Sequence, residues 1–293
     1  MTLYTQASSN IWKTWFLITV FLVLVIFLGW IFSYILETPY ILYVAVFISF
    51  LMSFISYWNS DKVILSMTNA KLITKQDNPK LYRIVENLSI TAGLPMPRIY
   101  IMNESAPNAF ATGRDPKHGV ICVTQGLLNK LDKSELEGVI AHEIAHIGNR
   151  DILLASAVVV LAGLIAILSD WTLRSIFWGR RRDGKDSAGA IMFLIGIIAA
   201  ILAPVAATLM KLAVSRKREF LADATGALLT RYPEGLARAL EKISQDPEPL
   251  RVASSATNHL FISNPLKKES ISKLWMTHPP VHERIKILRQ MDI

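Results

Sequence analysis

The residues with the clearest chemical potential form an H-E-x-x-H run at 142–146. Two histidines four residues apart on a helix present their imidazoles on one face, where both can bind a single Zn²⁺. Glu143 then lies beside the metal, placed to take a proton from an attacking water. A chance match on a solvated helix is disfavoured, because the neighbouring residues are apolar and burying such polar side chains without partners is costly. We therefore predict that His142 and His146 are metal ligands.

Glu219 is the candidate for a third ligand. A catalytic zinc usually has three protein ligands and one open position, and an apolar hairpin between His146 and Glu219 would return the chain to the same place. Asp223 lies one turn beyond on the same helical face, where it can accept a hydrogen bond from the outer nitrogen of a ligand histidine. The alternative is that Glu219 pairs with Arg216 or Lys217 on a solvated helix.

His278 is the other contender for the site. Two prolines follow it and bias it out of helix, whereas His282 falls inside the helix that those prolines open. The two histidines therefore do not share a helical face, and a second two-histidine site is not expected. We interpret His278 as a catalytic donor near the metal. The remaining histidines are interpreted as ordinary surface residues: His118, His259 and His282.

Four long uncharged runs indicate a membrane protein. Of the 293 residues, 52% are hydrophobic and 18% are charged, whereas about 25% are charged in a typical soluble domain. The runs are 14–36, 38–60, 152–169 and 187–210. Crossing a hydrocarbon core of ~30 Å takes about 20 apolar residues, a length that the third run meets only marginally. The first run is too long for the core of a cleaved signal peptide, so we interpret it as a retained anchor.

These runs divide the chain into four parts. They are a two-helix anchor (1–60), a first catalytic part (61–151), a membrane hairpin (152–210) and a second catalytic part (211–293). We expect a mainly α membrane protein with about four transmembrane helices and a zincin-like α+β catalytic domain.

The first catalytic part shows helical and strand patterns. Asn78 and Pro79 open a helix with apolar residues at helical spacing. Three strand-like runs at 98–102, 109–112 and 120–124 predict a small antiparallel sheet.

Two further stretches predict long helices. No proline interrupts 134–168 or 205–229, so we expect one helix to run from water into the third span and another to emerge from the fourth. An antiparallel hairpin of this kind brings His146 and Glu219 together.

The net charge of +8 does not indicate a nucleic-acid-binding protein. The basic clusters at 180–182 and 216–218 flank apolar runs, which is typical of membrane topology. Lys13 and Lys62 flank the first two spans and place the catalytic domain in the cytoplasm by the positive-inside rule, whereas the cluster at 180–182 opposes full crossing of the hairpin. The sole cysteine, Cys122, excludes an intramolecular disulfide.

Four motifs together resemble the HtpX-type bacterial membrane zinc metalloproteases, which are related to the zinc-dependent CAAX prenyl endopeptidases. They are 107–113, 137–151, 218–223 and 277–284, and the resemblance covers essentially the whole chain. It implies that one Zn²⁺ is bound by His142, His146 and Glu219, with Glu143 as catalytic base.

The resemblance also implies roles around the metal. Asp223 would orient a ligand, and His278 and Arg284 match a His-Pro-Pro…Glu-Arg element near the site. A substrate backbone would lie along an edge strand formed by Asn108, Ala109, Phe110, Ala111 and Thr112. His282 departs from the pattern, because an acidic residue is usual there.

The family's biology supplies further expectations. It implies a multi-pass protein of the bacterial inner membrane that cleaves misfolded or damaged membrane proteins under heat stress, beside the AAA-type membrane protease. Two other readings stay open. A protease that cuts within the bilayer is disfavoured by the charges around the H-E-x-x-H run. In a zinc-stabilised scaffold or chaperone, a Cys or His would normally close the fourth zinc position.

Overall fold

The computed structural model describes residues 3–35, 37–163, 165, 215–251, 257–263 and 279–292. Two long apolar helices open the chain and pack against each other, α1 (Leu3–Ile35) and α2 (Tyr40–Trp58). Within the described residues, these are the two single helices long and apolar enough to cross a membrane, with mean hydropathies of 2.6 over Ala7–Ile31 and 2.0 over Tyr40–Trp58. They coincide with the first two predicted spans.

The elements that follow build the domain that carries the site. They are α3 (Ser60–Met67), β1 (Lys71–Leu72), α4 (Pro79–Thr91), β2 (Arg98–Met102), β3 (Ala109–Thr112), β4 (Val120–Thr124), α5 (Gln125–Lys130), α6 (Lys133–Gly148), α7 (Asp151–Gly163), α8 (Arg216–Thr230), α9 (Pro233–Gln245) and α10 (Val281–Arg289). As predicted, α4 starts at Asn78-Pro79, where the Asn78 side chain accepts a hydrogen bond from the Leu81 N–H at 3.0 Å.

The sheet is mixed, not antiparallel as predicted. Its order is β1-β2-β4-β3, with β2 and β4 parallel and the other two pairs antiparallel. The three predicted strands have the expected bounds. The chain leaves β2, passes beyond the position that β4 will occupy, and forms β3 at the outer edge before turning back at Gly113, whose φ is +134°. β1, a strand of two residues, was too short to be predicted.

The predicted helix over 134–168 is wrong, because it breaks at Asn149-Arg150. α6 and α7 meet at 83°, and Arg150 adopts a φ of +56°. Helices often end at a residue in the left-handed conformation, and that residue is usually glycine. Here it is Arg150, and no proline marks the position, so the break was not predicted. The predicted helix over 205–229 also fails where it is described, because Ser215 has an extended backbone and α8 begins at Arg216.

The third and fourth predicted spans are not confirmed. The third run is described through α7 and residue 165, and its side chains Leu154, Val158 and Leu161 pack against Leu17 and Phe21 of α1. α7 counts toward a span only when it is taken together with α6 as one bent pair. The fourth run and the tip of the hairpin lie outside the described residues.

α6 is the central helix of the domain and packs against β3, α4, α8 and α9. Two glycines allow the closest of these approaches. A Cβ on Gly226 of α8 would lie 3.0 Å from the backbone nitrogen of His142, and one on Gly138 of α6 would lie 2.6 Å from that of Leu236 in α9. The backbone of α8 therefore approaches α6 at the residue that begins the H-E-x-x-H run.

Candidate metal centre

The two histidines lie together on one face of α6. The helix is fixed at its start by a capping box, in which Asp132 accepts from the Glu135 N–H and Glu135 accepts from the Asp132 N–H, both at 2.9 Å. Nε2 of His142 lies 3.1 Å from Nε2 of His146. Both ring nitrogens therefore converge on a single point.

Glu219 of α8 faces the same point. Its carboxylate oxygens lie 3.9 Å from Nε2 of His142 and 3.6 Å from Nε2 of His146. One possible ligand atom from each of the three residues can be chosen so that all three atoms lie within 4.8 Å of one another. The structure therefore brings together the three residues predicted as ligands.

The outer nitrogens of both imidazoles are held by carboxylates. Nδ1 of His142 lies 2.9 Å from Oδ1 of Asp223, and Nδ1 of His146 lies 2.9 Å from Oδ2 of Asp151. A carboxylate on Nδ1 places a proton there, which leaves lone pairs on both Nε2 atoms. Both lone pairs then face the same point, where they can ligate one cation. This donor set, two imidazoles and one carboxylate, suits Zn²⁺.

The charges around the centre favour a cation there. Burial alone would lower the pKa of His146, but Asp151 and Glu219 raise it to about 9. The pKa of His142 is lowered by burial and by His146, against the opposing effect of Asp223. Asp151 and Glu219 thus favour positive charge beside His146, whereas burial disfavours it on His142.

Arg284 of α10 holds Asp223 in a fully buried position. The guanidinium Nε and Nη2 donate to the two carboxylate oxygens of Asp223 at 2.8 and 2.7 Å, and Nη1 donates to the Ile262 carbonyl at 3.1 Å. Burial would raise the pKa of Asp223, but the charge and hydrogen bonds of Arg284 lower it to about 2. Asp223 is therefore an anion that accepts from both Arg284 and His142.

Glu143 lies in the same small cavity as the three candidate ligands. Burial raises the pKa of its carboxyl group to about 7, although the positive charges of His146 and Arg284 and a hydrogen bond from the Ala111 N–H oppose that effect. The carboxylate is thus oriented by the edge strand of the sheet.

The predicted substrate strand lies beside the centre but is covered by the chain itself. β3 is the outermost strand, and its outward-facing Ala109 carbonyl accepts from the Ile262 N–H at 3.0 Å. The Asn108 side chain donates to the Ser263 carbonyl at 3.1 Å, and the rings of Phe110 and Phe261 pack edge to face at 5.3 Å. We call residues 257–263 the covering segment.

The cavity next to Glu143 has a volume of about 40 Å³. This is room for a few water molecules, since each needs roughly 10–15 Å³ by this measure, and not for a peptide. His259 of the covering segment also lines the cavity and is 5% exposed, so its assignment to the surface was wrong. His278 lies outside the described residues.

Three buried residues near the centre were not singled out from the sequence: Asp151, Arg218 and Asn10. Asp151 and Arg218 are end residues of two of the motifs, 137–151 and 218–223, but no role was predicted for either. The one indication for Asn10 in the sequence is that it is a polar residue close to the start of an apolar span.

Known proteins show which family this chain resembles. The model of peptidase family M48 matches residues 75–292. A protein of Caldanaerobacter subterraneus subsp. tengcongensis named "Protease HtpX homolog" is 47% identical over 298 residues, which is 100% of this chain and 99% of the relative. A protein of the same name from Dictyoglomus thermophilum is 48% identical over 291 residues, covering 99% of this chain and 95% of the relative.

The fold has a solved counterpart. The crystal structure of S. mikatae Ste24p superposes with a TM-score of 0.51 at 20% identity, covering 97% of this chain and 67% of that one. At this identity the likeness concerns the fold alone. The whole-chain relatives confirm the resemblance drawn from the four motifs and indicate a membrane metalloprotease. The chain belongs to peptidase family M48.

Proposed function

We propose that this protein is a membrane-anchored zinc endopeptidase in which His142, His146 and Glu219 hold one Zn²⁺. The observation that carries the proposal is the convergence of both Nε2 atoms and the Glu219 carboxylate on one point. Family membership supports the class of reaction. Bound in this position, zinc supplies a Lewis acid that polarises a scissile carbonyl and acidifies water.

Glu143 is the general base. It lines the cavity with the ligands and is oriented by the Ala111 N–H, so it accepts a proton from the attacking water and passes it to the leaving amine. His278 is the proposed donor to the developing oxyanion. Asp223 fixes the tautomer and orientation of His142, and Arg284 keeps Asp223 charged and in place.

Substrate binds as an extended strand along residues 108–112. Strand addition relies on backbone hydrogen bonds and so tolerates many side chains. The Ala109 carbonyl, which a substrate would use, accepts from Ile262, so the covering segment has to leave β3 before substrate binds. Binding is therefore an exchange of one backbone partner for another.

The proposed substrates are misfolded or damaged membrane proteins, cleaved at the cytoplasmic surface of the bacterial inner membrane, with the AAA-type membrane protease as a functional partner. Two observations support a site at the surface. Asn10, near the start of the first candidate span, contacts the α6–α7 junction at Asn149. Lys13 precedes the uncharged run 14–36 and Lys62 follows the run 38–60, on that same side.

The test combines metal analysis with proteolysis. Purified wild type should contain close to one zinc per chain and cleave an unfolded membrane protein in detergent. Glu143→Gln should keep its zinc and lose cleavage, because Glu143 is assigned as base and not as ligand. Robust turnover by Glu143→Gln, free of contaminating protease, would overturn the mechanism.

A further inference from the structure

The first membrane helix reaches the metal centre through one side chain. Asn10 of α1 is completely buried, and its Nδ2 donates to Oδ1 of Asp151 at 2.7 Å and to the Asn149 carbonyl at 3.0 Å. The two residues it bonds lie 139 and 141 positions away in the sequence, at the junction where α6 bends into α7. A membrane span is thus joined by hydrogen bonds to the element that carries both histidines.

Asp151 divides its carboxylate between this helix and a candidate ligand. Oδ1 accepts from Asn10, while Oδ2 lies 2.9 Å from Nδ1 of His146. Arg218 approaches from α8, with Nε 3.8 Å from Oδ1 of Asp151 and Nη1 3.4 Å from the Asn10 side-chain oxygen. An unbroken series of contacts therefore runs from Asn10 through Asp151 to His146.

The backbone alone does not fix this carboxylate. Asp151 begins α7 directly after Arg150, whose left-handed conformation ends the α6 region. The bonds from Asn10 to both the Asn149 carbonyl and Asp151 hold the two sides of this junction together. Without the amide, Oδ1 of Asp151 keeps only the longer contact to Arg218, at 3.8 Å, and the carboxylate is less firmly held toward His146.

We propose that Asn10 is a positioning residue of the metal centre, which orients Asp151 so that Asp151 orients His146. This inference rests on the proposed function, because it requires that His146 binds zinc. The anchor helix therefore belongs to the metal site as well as to the membrane. Partners of ligand histidines typically change metal affinity by about 10–100-fold when they are lost, and Asn10 stands one contact further out. We expect its loss to weaken zinc binding by about tenfold.

The experiment uses the full chain in detergent and carries Glu143→Gln throughout, so that the protein does not digest itself. Asn10→Ala is compared with Thr14→Val, a buried residue one turn along α1 whose hydroxyl donates to the Asn10 carbonyl at 2.8 Å. Zinc affinity is measured by competition with a chelator, and the visible absorption of the Co²⁺ form reports ligand geometry. Asn10→Ala should weaken zinc about tenfold and shift the cobalt bands, and Thr14→Val should do neither.

A double-mutant cycle separates positioning from general damage. If Asn10 acts through Asp151, then Asn10→Ala should have no further effect on zinc affinity in an Asp151→Ala background. An equal loss in both backgrounds overturns the inference, and so does an Asn10→Ala protein that matches Thr14→Val. If the Glu143→Gln protein with Asn10 intact binds no zinc, the proposed function itself fails, which is a different result.

Discussion

The carboxylate of Asp223 accepts two hydrogen bonds from the guanidinium of Arg284, at 2.8 and 2.7 Å, where the side chains of both residues are about 1% exposed or less. Each charge of such a buried pair depends on the other, because removing one partner leaves an uncompensated charge in the poorly solvated interior. Oδ1 of Asp223, which accepts from Nη2 of Arg284, also lies 2.9 Å from Nδ1 of His142. The orientation of a candidate metal ligand thus depends on a side chain 142 positions away.

Removal of Arg284 should destabilise the fold and the centre together. We expect Arg284→Met to lower the free energy of unfolding of the metal-free protein by about 3–5 kcal/mol, the cost of breaking a buried ion pair on one side. The matched control is Arg289→Met on the same helix, where an exposed arginine pairs with Glu234 and Glu241 and little change is expected. Denaturant unfolding in detergent measures both. Similar losses in the two variants would contradict the assigned burial and pairing.

Substitution of Glu219 should remove most of the bound zinc, whereas substitution of His278 should affect only the rate of turnover. Glu219→Ala should lose most of its zinc, because the third ligand is gone, whereas His278→Ala should keep its zinc and lose about 10²–10³ in rate, as for removal of one oxyanion donor. Glu241→Ala, an exposed carboxylate on α9, serves as the control for zinc content. The opposite pattern in metal analysis would exchange the roles of Glu219 and His278.

The covering segment should leave β3 when substrate binds. Hydrogen–deuterium exchange of the Glu143→Gln protein with an unfolded substrate should show increased uptake at residues 257–263, since the Ile262 N–H loses its acceptor. Strand β4, on the opposite side of β3, should remain protected and is the internal control. Unchanged or greater protection at 257–263 would exclude binding by exchange with this segment.

A substitution in the covering segment should shift the same equilibrium. Phe261→Leu removes the edge-to-face contact with Phe110, worth about 0.5–1.5 kcal/mol. Because the segment then leaves β3 more easily, KM should fall by a factor of roughly 2–10 while kcat is largely retained. Phe21→Leu, a buried change between α1 and α7, controls for loosened packing. A rise in KM specific to Phe261→Leu would mean that Phe261 aids substrate binding.

The topology of the hairpin can be tested with single cysteines. The native Cys122 is buried, and burial raises the pKa of its thiol, so it should not react in the folded protein; replacing it with Ser removes any doubt. In that background, Gly184→Cys should be labelled by an impermeant thiol reagent in cells with the outer barrier opened, if the hairpin crosses fully. Lys117→Cys, exposed on the catalytic domain, should be labelled only after lysis. Protection of Gly184→Cys until lysis would refute the four-span prediction.

Local features of the fold were predictable because they are encoded by neighbouring residues. The start of α4 at Asn78-Pro79 and the bounds of three strands follow from short patterns. The convergence of Glu219 on the two histidines was also predicted, although the two uninterrupted helices from which it was argued are not formed.

The remaining features depend on contacts between distant parts of the chain. The pattern of residues within a strand does not specify which neighbour the strand pairs with or in which direction, so the parallel pairing of β2 with β4 could not be predicted. The bend follows Gly148 but has its left-handed residue at Arg150, which is not a glycine, and no proline stands there. It is held in part by Asn10, 139 residues from the Asn149 carbonyl that it bonds. Contacts between residues so far apart produce no periodic pattern in the sequence, so the contacts of Asn10 could not be predicted from the sequence.

Because the covering segment occupies the edge of β3, it competes with any substrate that binds to that edge. In the proposed mode of binding, a substrate has to displace a tethered segment whose effective concentration is in the mM range, as for groups joined by short linkers. A dilute soluble protein meets this competition poorly, whereas an unfolded chain held in the same bilayer is concentrated beside the site. The same cover removes an open strand edge that would otherwise pair with any neighbouring backbone. In that proposed mode, a preference for damaged membrane proteins would require no recognition of sequence.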